Sequence, residues 1–238
     1  MKTTIYIIIS LLITSLSLVW LNQNSHTNKT EISVIRDLTD TFTSKPNSET
    51  ILHLYNFTTD KWSEGDFRFI EVTDLNINNI YLVSISTKSL FLRNDFKRKD
   101  EIKAFNAKVD TIITETENLT SGKNNSAIYT PVANELNRMS KSSATSKNML
   151  IYSDLMENTD KMSFYNKSVL NSIKKEPDKI KQYFESQIKL NKLNGIKIYI
   201  IYQPRNTEED NAFSIVSGFY KQLFESKGAD VEITANLN

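Results

Sequence analysis

The stretches that decide the fold are residues 34–41, which read VIRDLTDT, and residues 150–155, which read LIYSDL. In both, a short apolar run stops at a polar residue that is followed by an aspartate, Asp37 in the first and Asp154 in the second. Short apolar runs bounded in this way are typical of strands that are buried on both faces. We therefore predict two strands, each of which ends at an aspartate.

Similar signals recur along the chain, where predicted strands alternate with predicted helices. The predicted strands are residues 32–35, 67–72, 80–85, 149–152, 196–202 and 231–234, and the predicted helices are residues 47–55, 97–117, 128–139, 178–190 and 208–226. Residues 67–72 and 80–85 read as a hairpin joined through residues 74–79. The alternation favours the α/β class, as a Rossmann-like three-layer α/β/α sandwich with a mostly parallel central sheet and one antiparallel edge hairpin.

Composition bounds the chemistry that this chain can perform. Its 238 residues are 39% hydrophobic and 24% charged, with a formal net charge of +1, which is an ordinary globular balance and gives no sign of a nucleic-acid partner. There is no cysteine, which excludes disulfides, cysteine metal sites and a thiol nucleophile. The two histidines, His26 and His53, read as structural, and the five glycines form no phosphate-binding loop.

The N-terminus has the pattern of a targeting segment. Lys2 precedes an apolar run over residues 5–21 that is interrupted only by serine, threonine and one tyrosine, and a polar stretch follows. We predict a signal peptide or an uncleaved signal anchor over residues 1–22, a linker over residues 23–30 and one domain over residues 31–238. Both interpretations place the domain outside the cytoplasm, in the periplasm, at the cell surface or tethered to the membrane by the N-terminal segment.

The aspartates and hydroxyls after the two central strands form a candidate metal site. In open α/β sheets, ligands bind beyond the carboxyl ends of the strands. Asp37, Thr39 and Thr41 alternate along the chain, so their side chains can converge on one point if the backbone is extended. Carboxylate and hydroxyl oxygens are hard ligands that suit Mg²⁺ or Mn²⁺. Together with Asp154, these residues predict a site for such a cation.

At these residues the chain resembles the von Willebrand factor A family and its metal-ion-dependent adhesion site. That family has Asp-x-Ser-x-Ser after its first strand, a threonine in a later loop and an aspartate after a central strand. Asp37, Thr39 and Thr41 match the first element with threonine for serine, and Asp154 matches the last. For the middle hydroxyl we choose Ser126, which precedes a predicted helix, with Thr130 as the alternative.

The resemblance covers the order of elements over about residues 31–238, and it has two departures. Arg36 stands where the family usually has an apolar residue, and Leu155 replaces the glycine that commonly follows the last aspartate. The resemblance implies that the hydroxyls and one aspartate contact or orient the metal, some through water. It also implies an open coordination position that is filled by an acidic group of the partner.

These observations predict a protein-interaction module that is not an enzyme and that binds an acidic side chain of a partner protein through Mg²⁺ or Mn²⁺. Membrane contact is expected only through the N-terminal segment. One alternative is a metal-dependent hydrolase that uses Asp37 and Asp154. Another is a scaffold of the same fold without a metal, in which Asp37 and Thr39 merely cap the segment that follows them.

Overall fold

The structure, a computed structural model, describes residues 28–39, 44–72, 79–88, 92–121 and 125–237. Its strands are β1 (Lys29–Asp37), β2 (Glu64–Val72), β3 (Ile80–Ile85), β4 (Ser146–Tyr152), β5 (Ile196–Ile201) and β6 (Asp230–Thr234). Its helices are α1 (Ser48–His53), α2 (Asp95–Thr116), α3 (Tyr129–Ser140), α4 (Lys167–Lys175), α5 (Pro177–Gln187) and α6 (Thr207–Glu225). Strand and helix alternate as the hydrophobic pattern predicts, so the α/β class is confirmed.

The six strands form one sheet in the order β3-β2-β1-β4-β5-β6. All neighbouring strands are parallel except β2 and β3, which pair antiparallel and confirm the edge hairpin. The chain fills the sheet outward from β1 to β3 and then returns to the other side of β1 to place β4. The strand order therefore reverses between β1 and β4, and a reversal of this kind opens a crevice at the carboxyl ends of the two strands.

Helices cover both faces of the sheet and make it the middle of three layers. On one face, Ile32 and Val34 of β1 pack in a core with α1 and with Phe105 of α2. On the other face, Ile35 packs in a core with α3 to α6, which includes Phe184. Successive side chains of a strand point to opposite faces, so one apolar run serves both cores.

The aromatic side chains of this second core anchor α3, α5 and α6 to one another. The rings of Tyr129 and Phe184 stack with their centroids 4.3 Å apart, and Phe184 also lies 5.8 Å from Tyr220. All three side chains are fully buried. Because large buried rings contribute much of a core's stability, this cluster holds the start of α3 in place beside the sheet.

Three local features differ from the sequence-based prediction. Strand β1 begins at Lys29, so two residues of the predicted linker belong to the sheet. The helix predicted over residues 47–55 begins at Ser48 instead, because Asn47 is the cap of α1 and its side chain accepts a hydrogen bond from the Thr50 N–H. Helix α4 was not predicted, although Asn166 caps it and accepts a hydrogen bond from the Ser168 N–H.

The N-terminal prediction falls on residues 1–22, which lie outside the described residues. None of the helices in the described part of the chain combines the length and the apolar character needed to cross a bilayer. The targeting segment therefore stays a prediction from the sequence.

Candidate functional site

Asp37 lies at the carboxyl end of β1, where the strand order reverses, and its side chain is only 1% exposed. One carboxylate oxygen, Oδ1, accepts hydrogen bonds from the N–H of Thr39 at 2.9 Å and from its hydroxyl at 2.6 Å. The other oxygen, Oδ2, accepts a hydrogen bond from the Ser153 hydroxyl at 3.1 Å. Charged hydrogen bonds of this kind stabilise the ionised carboxylate and hold it in one orientation.

Asp154 follows β4 at the same edge of the sheet. Arg36 and Tyr152 are register partners in the parallel strands β1 and β4, so the residues that follow each strand end at the same level. The sequence-based prediction that Asp37 and Asp154 lie at one edge is therefore met by the geometry. Asp154 is 9% exposed, and its Oδ1 accepts a hydrogen bond from the Met156 N–H at 2.9 Å.

The chain turns sharply after β4, and Leu155 takes the strained position. Its φ is 61°, in the left-handed region that favours glycine, and its side chain is fully buried. The Ser153 hydroxyl accepts a hydrogen bond from the Leu155 N–H at 2.9 Å while it donates to Asp37. The packing of its buried side chain therefore holds Leu155 in this left-handed conformation.

The predicted middle ligand, Ser126, lies on a loop that pairs with the loop after β4. The N–H of Ser126 donates to the carbonyl of Asn158 at 3.0 Å, and the N–H of Asn158 donates back at 2.8 Å. The Ser126 hydroxyl is buried and donates to the Met156 carbonyl at 3.4 Å. Thr130, the alternative, lies in the first turn of α3 and is partly exposed. Thr41 lies outside the described residues.

Glu157 is a buried carboxylate at this edge that the sequence-based prediction missed. Its Oε2 accepts hydrogen bonds from the N–H groups of Ile128 and Tyr129, both at 2.9 Å, and so caps the start of α3. Ile128 is the cap residue of that helix and has no side-chain acceptor of its own. The first N–H groups of a helix need hydrogen-bond acceptors, and the side chain of Ile128 cannot supply one. An apolar residue at the cap position is therefore the sequence signal that an acceptor comes from elsewhere in the chain.

Burial and neighbouring negative charges both shift the pKa values of side chains at this edge of the sheet. The pKa of Glu157 is raised to about 7, mainly by burial and to a smaller extent by the charge of Asp37, against the lowering effect of its two backbone hydrogen bonds. Burial also raises the pKa of the Tyr220 hydroxyl well above its ordinary value, and the charges of Glu157 and Asp154 add to that effect. Three carboxylates thus act on this partly dry region, and negative charge there favours a cation.

The donor set decides which kind of cation would suit the edge. Among the residues that the structure describes, no three histidine or acidic side chains are grouped to hold a metal ion by themselves. Any ion bound here would take few carboxylates and complete its shell with hydroxyls and water. Mg²⁺, which keeps several waters, binds in this way.

Arg36 points away from the carboxylates, toward the opposite face of the sheet. Its guanidinium donates to the carbonyl of Glu117 at 2.8 Å and also to that of Thr116, at the end of α2. Burial lowers the pKa of Arg36, while the charges of Glu71 and Glu117 raise it. Arg36 therefore ties the end of α2 to β1.

Comparison with known proteins finds similarity in structure but not in sequence. No family model matches the sequence, and no curated protein matches it. Among solved structures, the crystal structure of the conserved hypothetical protein BatB from Bacteroides thetaiotaomicron is similar over 87% of this chain and 91% of that chain, with 12% sequence identity and a TM-score of 0.36.

Proposed function

We propose that this chain is a protein-interaction module of the von Willebrand factor A type, which binds its partner through Mg²⁺ or Mn²⁺. The proposed ligand set is Asp37, Thr39, Thr41, Ser126 and Asp154, of which Thr41 rests on the sequence pattern alone. The partner contributes an acidic side chain to the cation. The targeting pattern of residues 1–22 adds the proposal that the domain works outside the cytoplasm.

One observation carries the proposal: Asp37 and Asp154 follow two adjacent parallel strands at the reversal of strand order, and Ser153 joins them. Its hydroxyl donates to Asp37, and Asp154 is the next residue in the chain. The crevice outside the carboxyl ends of strands at such a reversal is the usual ligand site of open α/β sheets. Both carboxylates of the proposed site therefore follow strands that end where this architecture usually binds ligands.

The chemistry of the donors fits the cation. Asp37 orients the Thr39 hydroxyl by accepting a hydrogen bond from it, so the lone pairs of that hydroxyl point toward the position proposed for the metal ion or a bound water. Asp154 supplies a second carboxylate, which the Met156 N–H holds in place by a hydrogen bond to Oδ1. When bound, the cation supplies a positive centre with an open position for a carboxylate oxygen of the partner.

The first test is a titration of the full-length chain with Mg²⁺ and with Mn²⁺ by calorimetry. We expect saturable binding that is lost in Asp154→Asn, because the amide can still accept from the Met156 N–H but no longer carries the charge. Asp230→Asn is the matched control, since Asp230 is exposed at the start of β6, at the opposite edge of the sheet.

Each result decides between the proposed function and its alternatives. Binding that is lost in Asp154→Asn and kept in Asp230→Asn supports the proposed site. Absence of cation binding in the wild type would favour the metal-free scaffold. Cation-dependent turnover of phosphoester or peptide substrates that is lost in Asp37→Asn would instead assign the hydrolase.

A further inference from the structure

A cavity of about 390 Å³ opens beside Asp154. Its walls come from three parts of the chain: the loop after β4, the start of α4, and the end of β5 with the first turns of α6. The apolar lining consists of Met156, Leu170, Tyr202, Ala212, Phe213 and Ile215. This volume is at the lower end of the roughly 300–1,000 Å³ typical of ligand sites, so it suits one or two side chains better than a large cofactor.

Asp154 belongs both to the proposed cation site and to the wall of this cavity. A carboxylate that reaches a cation at Asp154 therefore brings its neighbours along the chain to the mouth of the cavity, because an extended segment advances at most about 3.6 Å per residue. We infer that the cavity receives a large apolar side chain of the partner, within two residues of the acidic residue that reaches the cation. This inference rests on the proposed function and specifies the partner segment.

The charges around the cavity favour an apolar side chain over a charged one. Glu209 is already paired with Arg205, whose Nε donates to it at 3.0 Å and whose hydrogen bonds lower the pKa of Glu209 to about 2. Of the other charged lining residues, Lys167 and Glu208 are both exposed at the rim and opposite in sign. With Asp154 turned to the cation, the interior presents apolar walls and no unbalanced charge.

The rim also carries an exposed aromatic side chain. Tyr165 is 60% exposed, although its neighbour Phe164 is fully buried. Tyrosine at the edge of an apolar hollow is typical of protein-binding surfaces, because its ring buries a large area while its hydroxyl stays hydrogen-bonded. Tyr165 is thus placed to cover an apolar side chain that enters the cavity.

The test uses blocked hexapeptides titrated into the isotope-labelled full-length chain and followed by nuclear magnetic resonance. The main probes carry one aspartate in a glycine background, with one phenylalanine placed one or two positions before or after it. The control peptides replace the phenylalanine with glycine or the aspartate with asparagine. Each titration is run with Mg²⁺ and again with a chelator, and Mn²⁺ binding is measured separately by calorimetry.

We expect at least one aspartate–phenylalanine peptide to bind about tenfold to a hundredfold more tightly than the aspartate–glycine peptide, because an apolar side chain is buried. This preference should require Mg²⁺ and the aspartate. Ala212→Trp, which fills the cavity from α6, should abolish the preference and leave Mn²⁺ affinity unchanged. Ala107→Trp, at an exposed position of α2 in a hollow lined by α1 and α2, is the matched control and should keep it.

The results distinguish a failure of the cavity assignment from a failure of the proposed function. If Mn²⁺ binds but phenylalanine gives no preference at any of the four positions, or if no peptide binds, the cavity assignment is overturned while the cation site stands. If the preference survives in Ala212→Trp, the apolar side chain lies elsewhere and the assignment is again overturned. If no cation binds, the proposed function fails and this inference fails with it.

Discussion

Replacing Glu157 with glutamine tests how burial and neighbouring charge act at the functional edge of the sheet. The exchange keeps an oxygen that can accept from the N–H groups of Ile128 and Tyr129, at nearly the same volume, but it removes the titration. Differences between the two proteins as pH changes therefore report the charge of this one side chain.

The size of the expected difference in stability follows from the raised pKa of Glu157. Glu157 has a pKa of about 7 in the folded protein, compared with an ordinary value of 4.5. Between these two pH values the folded state holds a proton that the unfolded chain releases, so stability falls as pH rises. The stability that the protonated Glu157 side chain contributes to the folded state is fully present below about pH 4.5 and is lost above about pH 7. At about 1.4 kcal/mol per pH unit, the difference of about 2.5 units corresponds to about 3 kcal/mol.

Urea denaturation at half-unit intervals between pH 4.5 and 8, in the presence of a chelator, measures this contribution. We expect the two proteins to have similar stability near pH 4.5 and Glu157→Gln to be more stable than the wild type by about 3 kcal/mol at pH 8. Glu49→Gln, at a side chain 85% exposed, is the control for removing one carboxylate from the surface.

A second variant separates charge from capping. Glu157→Ala removes the acceptor for both N–H groups and should cost about 1–3 kcal/mol relative to Glu157→Gln at every pH. If the stability difference between the wild type and Glu157→Gln does not change with pH, the account of a buried carboxylate next to Asp37 is refuted.

Three further substitutions test the local geometry. Leu155→Gly should relieve about 1 kcal/mol of left-handed strain but lose about 2–5 kcal/mol of buried leucine packing, so we expect a net loss of about 1–4 kcal/mol in chemical denaturation; a gain in stability would contradict this packing argument. Arg36→Met removes the donors to the Thr116 and Glu117 carbonyls, and hydrogen exchange should show faster opening at the end of α2; unchanged protection would refute that role. Gly228→Ala should cost about 1–2 kcal/mol, because φ is 96° and the new Cβ would lie 1.9 Å from an Asn194 side-chain oxygen. This loss should appear as a lower midpoint of thermal unfolding, and an unchanged midpoint would contradict the expectation by showing that the turn adjusts.

The order of strands and helices was predictable because hydrophobic periodicity is a local property. Side chains alternate along a strand and repeat about every 3.6 residues along a helix, so the pattern of apolar residues reveals each element before any contact is known. Asp37 and Asp154 were placed at one edge by the same reasoning, since both follow buried strands that were predicted to be parallel. The cation itself stays a prediction.

Helix α4 shows where local reasoning fell short. Its segment is short and carries few apolar residues, although Asn166 before it is a good cap. Its partly buried apolar side chains gain their place by packing against the large core of α3, α5 and α6. Packing of this kind outweighs weak local propensity, so the sequence alone did not mark the helix.

By itself, the sequence determined the α/β class, the antiparallel edge hairpin and the two aspartates that follow central strands. Only the tertiary structure decided that Ser153 bridges the strand ends, that Glu157 caps a helix, and that a cavity opens beside Asp154. The physical reason is that secondary structure follows from side chains close in sequence. Hydrogen bonds between loops, the loss of water around a carboxylate and the walls of a cavity arise only when distant segments pack together.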